Sequence, residues 1–521
     1  MRFHRVLVSL CVLACVSFSV AADEAKWCEV KSPNFTVISD ASIKQARQVA
    51  KSLEQFRAVF QSTLPTLRMD PGFPLTVFAA RDGLSLKALF PADRQEQGVS
   101  GLDGFFVPDP GKNIAVFRID APGHRGYHVM YHEYVHMAMN LNFRNLPLWL
   151  FEGLAEVYAF ATISDGASGI GRTSQEYLEI LRTSPMIPLP ALMAATRDSS
   201  YYRQPDKSRI FYAQSWALTH YLILGDKRAH AGQLMEFLRL IKSEIPAQEA
   251  AERSFGDLEA LQKDLEKYVR SYKFYYSPVE IKLGGKESKY AARKLSRAES
   301  LALRGDLLIR VNRPDEGRAM LEQALQLNPR SASAHEGLGL LFLKLKDLDQ
   351  SQMHFSTAAK LDSKSYLAQY FAAELAFLRD KNYKAAEEYL RKALAINPKF
   401  VPAYHLLSRT LMLQEPRLPE ALELAMKAVN FDPAESSYWL NAGQILIVMG
   451  RYDEAKRLGE RLLTSARTQE ESREAESLLS LIYNREDRMR EARRRAEAMR
   501  EEARKKAEQL NASEELETPL K

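Results

Sequence analysis

The residues best suited to chemistry in this chain lie in the segment YHEYVH, residues 131–136. Histidines one helical turn apart lie on the same helix face, so His132 and His136 can bind one metal ion together. Zinc is the ion that this HExxH spacing indicates. Glu133 lies beside them and can accept a proton from a water molecule that zinc acidifies. The segment therefore predicts a site that could attack a polarised carbonyl group.

A second segment follows at residues 145–156, with the sequence NLPLWLFEGLAE. It predicts a new helix, with Asn145 as its cap and Pro147 in its first turn. A catalytic zinc site needs a third protein ligand and an open fourth position, and Glu152 can supply that ligand. Glu156, one turn later on the same face, can accept the free ring N–H of a zinc-bound histidine and fix its tautomer.

Together, the HExxH segment and the WLxEGxAE segment resemble the gluzincins, and most closely their MA-like branch. In those zinc metallopeptidases the first glutamate of the second helix is the third ligand, which corresponds to Glu152. The resemblance covers residues 27–276 and implies an α+β zincin-like catalytic domain. The gap from His136 to Glu152 is shorter than in the best-known aminopeptidases, and Glu156 would fit their spacing better. Glu152 is nevertheless the expected ligand, because the Trp-Leu-x-Glu-Gly context accompanies it.

Other candidate site residues have more than one interpretation. In several gluzincins a tyrosine donates a hydrogen bond to the developing oxyanion, and Tyr212 is the candidate here; a buried packing role is the alternative. Residues 113–119 are interpreted either as an edge strand that pairs with a peptide substrate or as an ordinary buried strand. His124 and His128 precede the motif, and we expect them to contact solvent or the ligands rather than the metal.

The lead-in to the motif has the pattern of a mixed α/β domain. Residues 41–62 have helical periodicity, and the chain becomes helical again from Gly126. Short alternating runs predict strands at residues 34–39, 74–80, 104–107 and 113–119, the last two as a hairpin.

The C-terminal half repeats at intervals of about 35 residues. The recurring triplets begin at Leu327, Leu361, Ile396 and Phe431, and small residues recur with them at Gly305, Gly339, Gly443, Ala324, Ala358, Ala393 and Ala428. These positions resemble the tetratricopeptide repeat (TPR) family. Glu374 and Arg409 depart from its pattern, because a small residue is usual there. The resemblance implies an all-α solenoid of about five repeats whose concave face binds a protein or peptide.

The chain divides into predicted segments on these grounds. Basic residues precede an apolar run and the small residues Val20-Ala21-Ala22, which is the pattern of a secretory signal peptide. The predicted segments are a signal peptide at 1–22, the zinc metallopeptidase domain at 23–283, a linker at 284–297, the TPR array with a capping helix at 298–484, and a charged helix with a disordered tail at 485–521.

The predicted signal peptide bears on location and on cysteine chemistry. We expect secretion across the inner membrane, most simply to the periplasm, with a lipoprotein at Cys15 as the alternative. Cleavage removes Cys11 and Cys15 and leaves Cys28 as a buried free thiol, so no internal disulfide is expected. No apolar run after the signal peptide is long enough to span a membrane.

Composition excludes other function classes. The formal net charge of +6 is small for 521 residues, and the basic residues near the C-terminus are interleaved with glutamates, so nucleic-acid binding is not expected. The sequence predicts a zinc metallopeptidase with Glu133 as base, whose TPR array binds a protein substrate or partner. The alternative is a TPR scaffold or assembly factor of the cell envelope with little or no catalysis. The retained Glu133 favours the enzyme, because a structural zinc site needs no base.

Overall fold

The computed structural model describes residues 26–516 except 71, 93–102, 110, 123–124, 144–145, 165–167, 244, 272, 282–288, 363, 415–416, 434 and 467. The predicted signal peptide with Cys11 and Cys15 lies outside the described residues. The same holds for His124, for the predicted cap Asn145 and for the proposed domain boundary near Gly284.

The N-terminal region is mixed α/β and is built on a six-stranded sheet. Strands β1 to β8 span Cys28–Lys31, Phe35–Ser39, Leu75–Ala80, Gly104–Val107, Ile114–Arg118, Gly169–Ile170, Ser277–Pro278 and Ala291–Lys294. The sheet order is β4-β5-β3-β2-β1-β8, in which β2, β3 and β5 are parallel and the other neighbours pair antiparallel. Every side chain of β3 is buried, as expected for a central strand covered on both faces.

The hairpin predicted at residues 104–119 is present, and of the two interpretations of residues 113–119 the structure supports the buried strand. β5 pairs with β3 on one side and with β4 on the other, so the interpretation of residues 113–119 as an edge strand is wrong. The hairpin folds back on the outside of β5 and makes β4 the terminal strand of this sheet. Within the described residues, the outer edge of β4 therefore has backbone groups that no strand pairs.

Helices cover the sheet and continue after it. The first helix, α1, begins with a capping box in which Ser42 and Gln45 satisfy each other's backbone N–H groups. It provides the crossover that two parallel strands require, here β2 and β3. Helices α1 to α11 span Ile43–Thr63, Gly83–Lys87, Arg125–Asn140, Leu148–Ala159, Gln175–Thr183, Leu189–Met193, Ser200–Arg203, Pro205–Arg228, Ala231–Lys242, Ala247–Phe255 and Leu258–Arg270.

The C-terminal half is a TPR-like helical solenoid of five helix pairs followed by one long helix. Helices α12 to α22 span Arg297–Arg310, Pro314–Leu327, Ala332–Lys344, Leu348–Leu361, Tyr366–Leu378, Tyr383–Ile396, Val401–Met412, Leu418–Phe431, Ser436–Val448, Tyr452–Thr464 and Gln469–Leu516. The small residue at Gly339 permits close packing, because a Cβ there would lie 2.9 Å from the ring of Phe355.

The two large residues that depart from the repeat pattern have partners within the array. The Tyr370 hydroxyl donates to the Glu374 carboxylate at 3.5 Å. The Arg409 guanidinium lies 5.3 Å from the centre of the Phe377 ring. The repeat therefore tolerates both positions, and neither interrupts the helix that carries it.

Two segments differ from the sequence prediction. Residues 291–294 of the predicted linker form β8, which pairs with β1, so the sheet continues to within a few residues of the array. The capping helix and the charged helix, predicted as separate, form one helix of 48 residues, α22. Residues 512–516 of the predicted disordered tail belong to this helix, and residues 517–521 lie outside the described part.

The array packs against the N-terminal region through its loops and through the first helices of its repeats. The contacts include Arg313 with the carbonyls of Ala88 and Phe90, Lys112 with Asp306, Arg310 with Asp109, Tyr366 with the Gly111 carbonyl, Asn397 with the Gly72 carbonyl, and Lys399 with Asp70. These contacts cover part of the surface of the array with the chain itself.

Candidate metal centre and adjoining cleft

Helix α3 holds the HExxH segment with its histidines on one face and its core residues on the other. Tyr131, Tyr134 and Val135 are buried, and the Tyr131 ring stacks on Phe56 of α1 with 4.0 Å between ring centres. The rings of His132 and His136 are 4.5 Å apart, as the spacing of one helical turn requires. Packing against α1 therefore fixes the face on which both imidazoles lie.

Helix α4 brings two buried carboxylates to these histidines. Glu152 and Glu156 are 3% and 5% exposed, which is rare for glutamate unless it is paired. Between them lies Gly153, where a Cβ would come within 2.2 Å of the Thr219 hydroxyl on α8. The glycine permits close contact between α4 and α8, and this packing sets the position of both glutamates.

His132, His136 and Glu152 form a compact cluster. Glu152 Oε2 lies 3.6 Å from His132 Nε2 and 3.3 Å from His136 Nε2. One potential ligand atom from each of the three residues lies within 4.8 Å of the others. The same Oε2 atom is buried and makes no hydrogen bond. Two imidazoles and an orphaned buried carboxylate oxygen fit a divalent metal ion, so these three residues could hold one.

Glu156 contacts the opposite side of His132. Its Oε1 lies 3.3 Å from His132 Nδ1, and its Oε2 lies 3.4 Å from His128 Nε2. A proton on His132 Nδ1 would thus face Glu156, leaving the lone pair of Nε2 toward Glu152. In this arrangement Glu156 orients His132, which is one of the three clustered residues. His128 contacts Glu156 rather than the three-residue cluster.

The electrostatic field at the cluster favours positive charge. Burial lowers the pKa of His132, but the close contacts with Glu152 and Glu156 and the attraction of their negative charges outweigh this and raise it to about 10. Burial raises the pKa of Glu152, yet the contacts with His132 and His136 lower it to about 2. Contacts with His128 and His132 likewise hold the pKa of Glu156 well below its ordinary value, against the effect of burial. A cation between these groups would be stabilised by the same carboxylates.

A tyrosine that the sequence analysis did not identify also reaches this cluster. The Tyr202 hydroxyl donates to Glu152 Oε1 at 3.2 Å. Tyr212, the predicted oxyanion donor, forms a hydrogen bond with Tyr202, and its ring centre lies 6.0 Å from that of Tyr202. Burial and the negative charge of Glu152 raise the pKa of Tyr212, so its hydroxyl stays protonated and can donate. Tyr202 lies on the short helix α7, whose sequence carries no motif that links it to α4.

Glu133 lies beside the cluster and faces an open cleft. Within the described residues its carboxylate forms no hydrogen bond or ion pair, whereas Glu152 and Glu156 are both engaged by histidines. It lines the cleft together with His136 and Phe151. A free carboxylate next to two imidazoles can accept a proton from a molecule bound in the cleft.

The cleft has a volume of about 1030 Å³ and lies between the N-terminal region and the TPR array. On the N-terminal side it includes Phe106 and Pro108, at the end of edge strand β4. On the other side it is lined by residues of α16, α18 and α20 and by the turn before α20.

Comparison with known proteins identifies the repeats and leaves the metal-centre region without an activity. Residues 303–352 and 368–400 each match a tetratricopeptide repeat family. Residues 127–248, which include both histidines and Glu152, match a family described as "Protein of unknown function (DUF1570)". The chain is therefore a TPR-containing protein, and its repeats point to binding of a protein partner.

Known proteins resemble parts of this chain only. Human tetratricopeptide repeat protein 21B is 32% identical over 107 residues, which is 20% of this chain and 8% of that protein. The crystal structure of YrrB, a TPR protein with an unusual peptide-binding site, is 20% identical, covers 34% of this chain and 92% of its own, and has a TM-score of 0.31. Pseudomonas aeruginosa PilF is 17% identical, covers 37% of this chain and 91% of its own, and also has a TM-score of 0.31.

Two further structural findings concern the sequence predictions. Cys28 is buried, as predicted, and burial and the nearby Asp40 raise the pKa of its thiol; within the described residues it forms no disulfide. Among the residues that the structure describes, no helix is long and apolar enough to cross a membrane.

Proposed function

We propose that this protein is a zinc-dependent peptide hydrolase. The observation that carries the proposal is that the Nε2 atoms of His132 and His136 both face one Glu152 oxygen, with the Glu133 carboxylate, which has no partner in the described part of the chain, beside them. Two histidines, one carboxylate and an adjacent free base are the groups that a hydrolytic zinc site requires. The resemblance of these segments to gluzincins supports the same reading.

The residues of this chain have separate roles in the proposed reaction. Zinc, when bound by His132, His136 and Glu152, supplies the polarisation of a substrate carbonyl and the acidification of water. Glu133 accepts the proton of the attacking water at its carboxylate and donates it to the departing amine nitrogen. Tyr212, whose hydroxyl stays protonated, is the proposed donor to the developing oxyanion.

A peptide is the substrate class that best fits the cleft. The outer edge of β4, which no strand of the described residues pairs, can hydrogen-bond to an extended backbone, and Phe106 and Pro108 at its end line the cleft. The predicted signal peptide at residues 1–22 leads us to propose secretion, most simply to the periplasm.

A TPR scaffold with a non-catalytic metal centre is the second candidate. It is favoured by the family matches, which identify the repeats and assign no activity to residues 127–248. In this case the array would bind a protein of the cell envelope, and the cluster around Glu152 would only stabilise α3 and α4. The two candidates differ in their need for Glu133, because a structural site requires no base.

The test compares the native chain with Glu133→Gln, which removes the base and keeps the three metal ligands. Glu179→Gln, at an exposed glutamate of α5, is the matched control. We expect all three proteins to bind about one zinc per chain, and only the native and control proteins to cleave an unstructured peptide library. Zinc binding without cleavage by any of the three would favour the scaffold, and absence of zinc from the native chain would overturn both readings of the centre.

A further inference from the structure

The TPR array forms the wall of the cleft that faces Glu133. Its contribution comes from α16, α18 and α20, from Phe431 at the end of α19, and from Asp432 and Glu435. The side chains that the argument uses are Tyr370, His405, Phe431, Ser437 and Tyr438. These side chains are half-buried and remain accessible to a molecule in the cleft.

The rim contacts fix the distance between the two walls. Lys399 Nζ lies 2.7 Å from an Asp70 oxygen, and the Asn397 amide donates to the Gly72 carbonyl at 2.8 Å. Gly72 has a φ of +94°, and a Cβ there would come within 2.1 Å of the Lys399 carbonyl oxygen. Arg68 donates to the Asn430 carbonyl at 2.7 Å near the far end of this contact. The array is therefore a structural part of this cleft and not a separately tethered module.

The array wall carries an aromatic patch made by Tyr370, His405, Phe431 and Tyr438, and the charged residues Lys399, Asp432 and Glu435 also line this side of the cleft. The rings of His405 and Tyr438 lie 5.1 Å apart. Burial and the nearby Arg409 lower the pKa of His405 to about 4, so its imidazole is uncharged at neutral pH. Its buried Nδ1 makes no hydrogen bond, and within the described residues the Tyr438 hydroxyl makes none either.

The opposite wall complements this surface. Phe106, Met137 and Phe151 bring apolar groups to the side that carries Glu133. A volume of about 1030 Å³ is at the upper end of ordinary ligand pockets, so a short extended peptide segment fits and a folded domain does not. The aromatic patch of the array wall and the apolar side chains Phe106, Met137 and Phe151 of the other wall, held at fixed separation, suit a large apolar side chain on such a segment.

We infer that the array wall binds a large apolar or aromatic side chain of an extended peptide, close to the peptide bond that faces Glu133. Tyr370, His405 and Tyr438 are then specificity-determining residues. The inference rests on the proposed function, since it assigns a peptide to the same cleft. It also gives the repeats a role inside the cleft that Glu133 lines.

The experiment measures binding and not turnover, using the full-length Glu133→Gln protein loaded with zinc. The probes are fluorescein-labelled unstructured peptides in which each position is varied in turn among Phe, Leu, Ala and Asp. At one position we expect Phe and Leu to increase affinity at least about tenfold over Ala and Asp. Adding His405→Ala and Tyr438→Ala should reduce that preference to about twofold or less. Tyr483→Ala, at an exposed tyrosine of α22 outside the cleft, should leave it unchanged.

A second kind of variant, which adds a bulky side chain to the array wall, tests the inference in case the alanine variants fail to fold. Ser437→Trp removes no core contact and narrows the cleft from the array side, so it should weaken peptide binding while circular dichroism and thermal unfolding stay native-like. An unchanged side-chain preference in the array variants, or no peptide binding at all, would overturn the inference. The proposed hydrolysis would be overturned by a different result, namely absence of cleavage by the native chain. Failure of the inference and failure of the proposed function can therefore be distinguished.

Discussion

His132 Nδ1 lies 3.3 Å from Glu156 Oε1, so the imidazole is held from the side opposite the three-residue cluster. This contact orients the Nε2 lone pair toward the position where a metal would bind. We therefore expect Glu156→Gln to weaken zinc affinity about tenfold to a hundredfold without abolishing binding. Competition with a chromophoric chelator measures this, with Glu179→Gln as control. Native affinity in Glu156→Gln would show that the contact does not orient the ring.

The contributions of Glu152 and Glu156 to zinc affinity can be compared by the same measurement. Glu152 faces both histidine Nε2 atoms, whereas Glu156 faces His132 Nδ1 and His128. We expect Glu152→Ala to lose more zinc affinity than Glu156→Ala, because only the first removes a ligand. The reverse order would identify Glu156 as the third ligand, as the aminopeptidase spacing allows.

Tyr212 and Tyr202 should affect different properties of the protein, namely the rate of catalysis and the affinity for zinc. Tyr212→Phe removes the proposed oxyanion donor, so we expect kcat to fall by about a hundredfold with little change in KM or zinc affinity. Tyr202→Phe removes the hydrogen bond to Glu152 Oε1 and should act mainly on zinc affinity. Steady-state kinetics at saturating zinc, beside chelator competition, separates the two effects. If Tyr202→Phe alone lowers kcat at saturating zinc, the donor role belongs to Tyr202.

Which residues of each helix share a face could be predicted because that relationship is local, whereas the approach of Glu152 to the two histidines was expected from the resemblance to gluzincins. His132 and His136 share a face through helical periodicity, and Glu152 and Glu156 share one through the same periodicity. Tyr202 could not be predicted, because its contact with Glu152 depends on how α7 packs against α4. The order of β4 and β5 could not be predicted either. Alternation of apolar and polar residues identifies a strand, but it does not say which strand lies at the edge of the sheet.

The role of the array in the cleft was also beyond sequence reasoning. The repeat spacing predicts helix pairs, but it carries no information on which face meets the N-terminal region. That arrangement depends on single contacts such as Lys399 with Asp70 and Gly72 against the Lys399 carbonyl. Within α22, ion pairs such as Arg495 with Glu491 support the helix beyond the predicted break at residue 484.

The buried charges between the array and the N-terminal region should matter for stability. Asp306 is buried with Arg310, and Lys112 Nζ lies 2.7 Å from its carboxylate. Burial raises the pKa of Asp306, but these two cations lower it well below its ordinary value. Asp306→Ala leaves Arg310 buried with one fewer carboxylate, and we expect it to lower the free energy of unfolding by about 3–5 kcal/mol. Chemical denaturation measures this, and the exposed Asp315→Ala should change it by less than about 0.5 kcal/mol.

His220 should make the N-terminal region sensitive to mild acid. Its side chain is fully buried, with Nδ1 2.7 Å from the Tyr268 hydroxyl, and burial lowers its pKa to about 4. The unfolded chain binds a proton near pH 6.5, so the stabilising contribution is complete above that pH and is lost as the pH falls toward 4. The loss from this residue amounts to up to about 3 kcal/mol. Denaturant titrations at neutral pH and near pH 4.5 should give a smaller acid-induced loss for His220→Gln than for the native chain. Equal losses would mean that the His220 imidazole is already protonated in the folded protein.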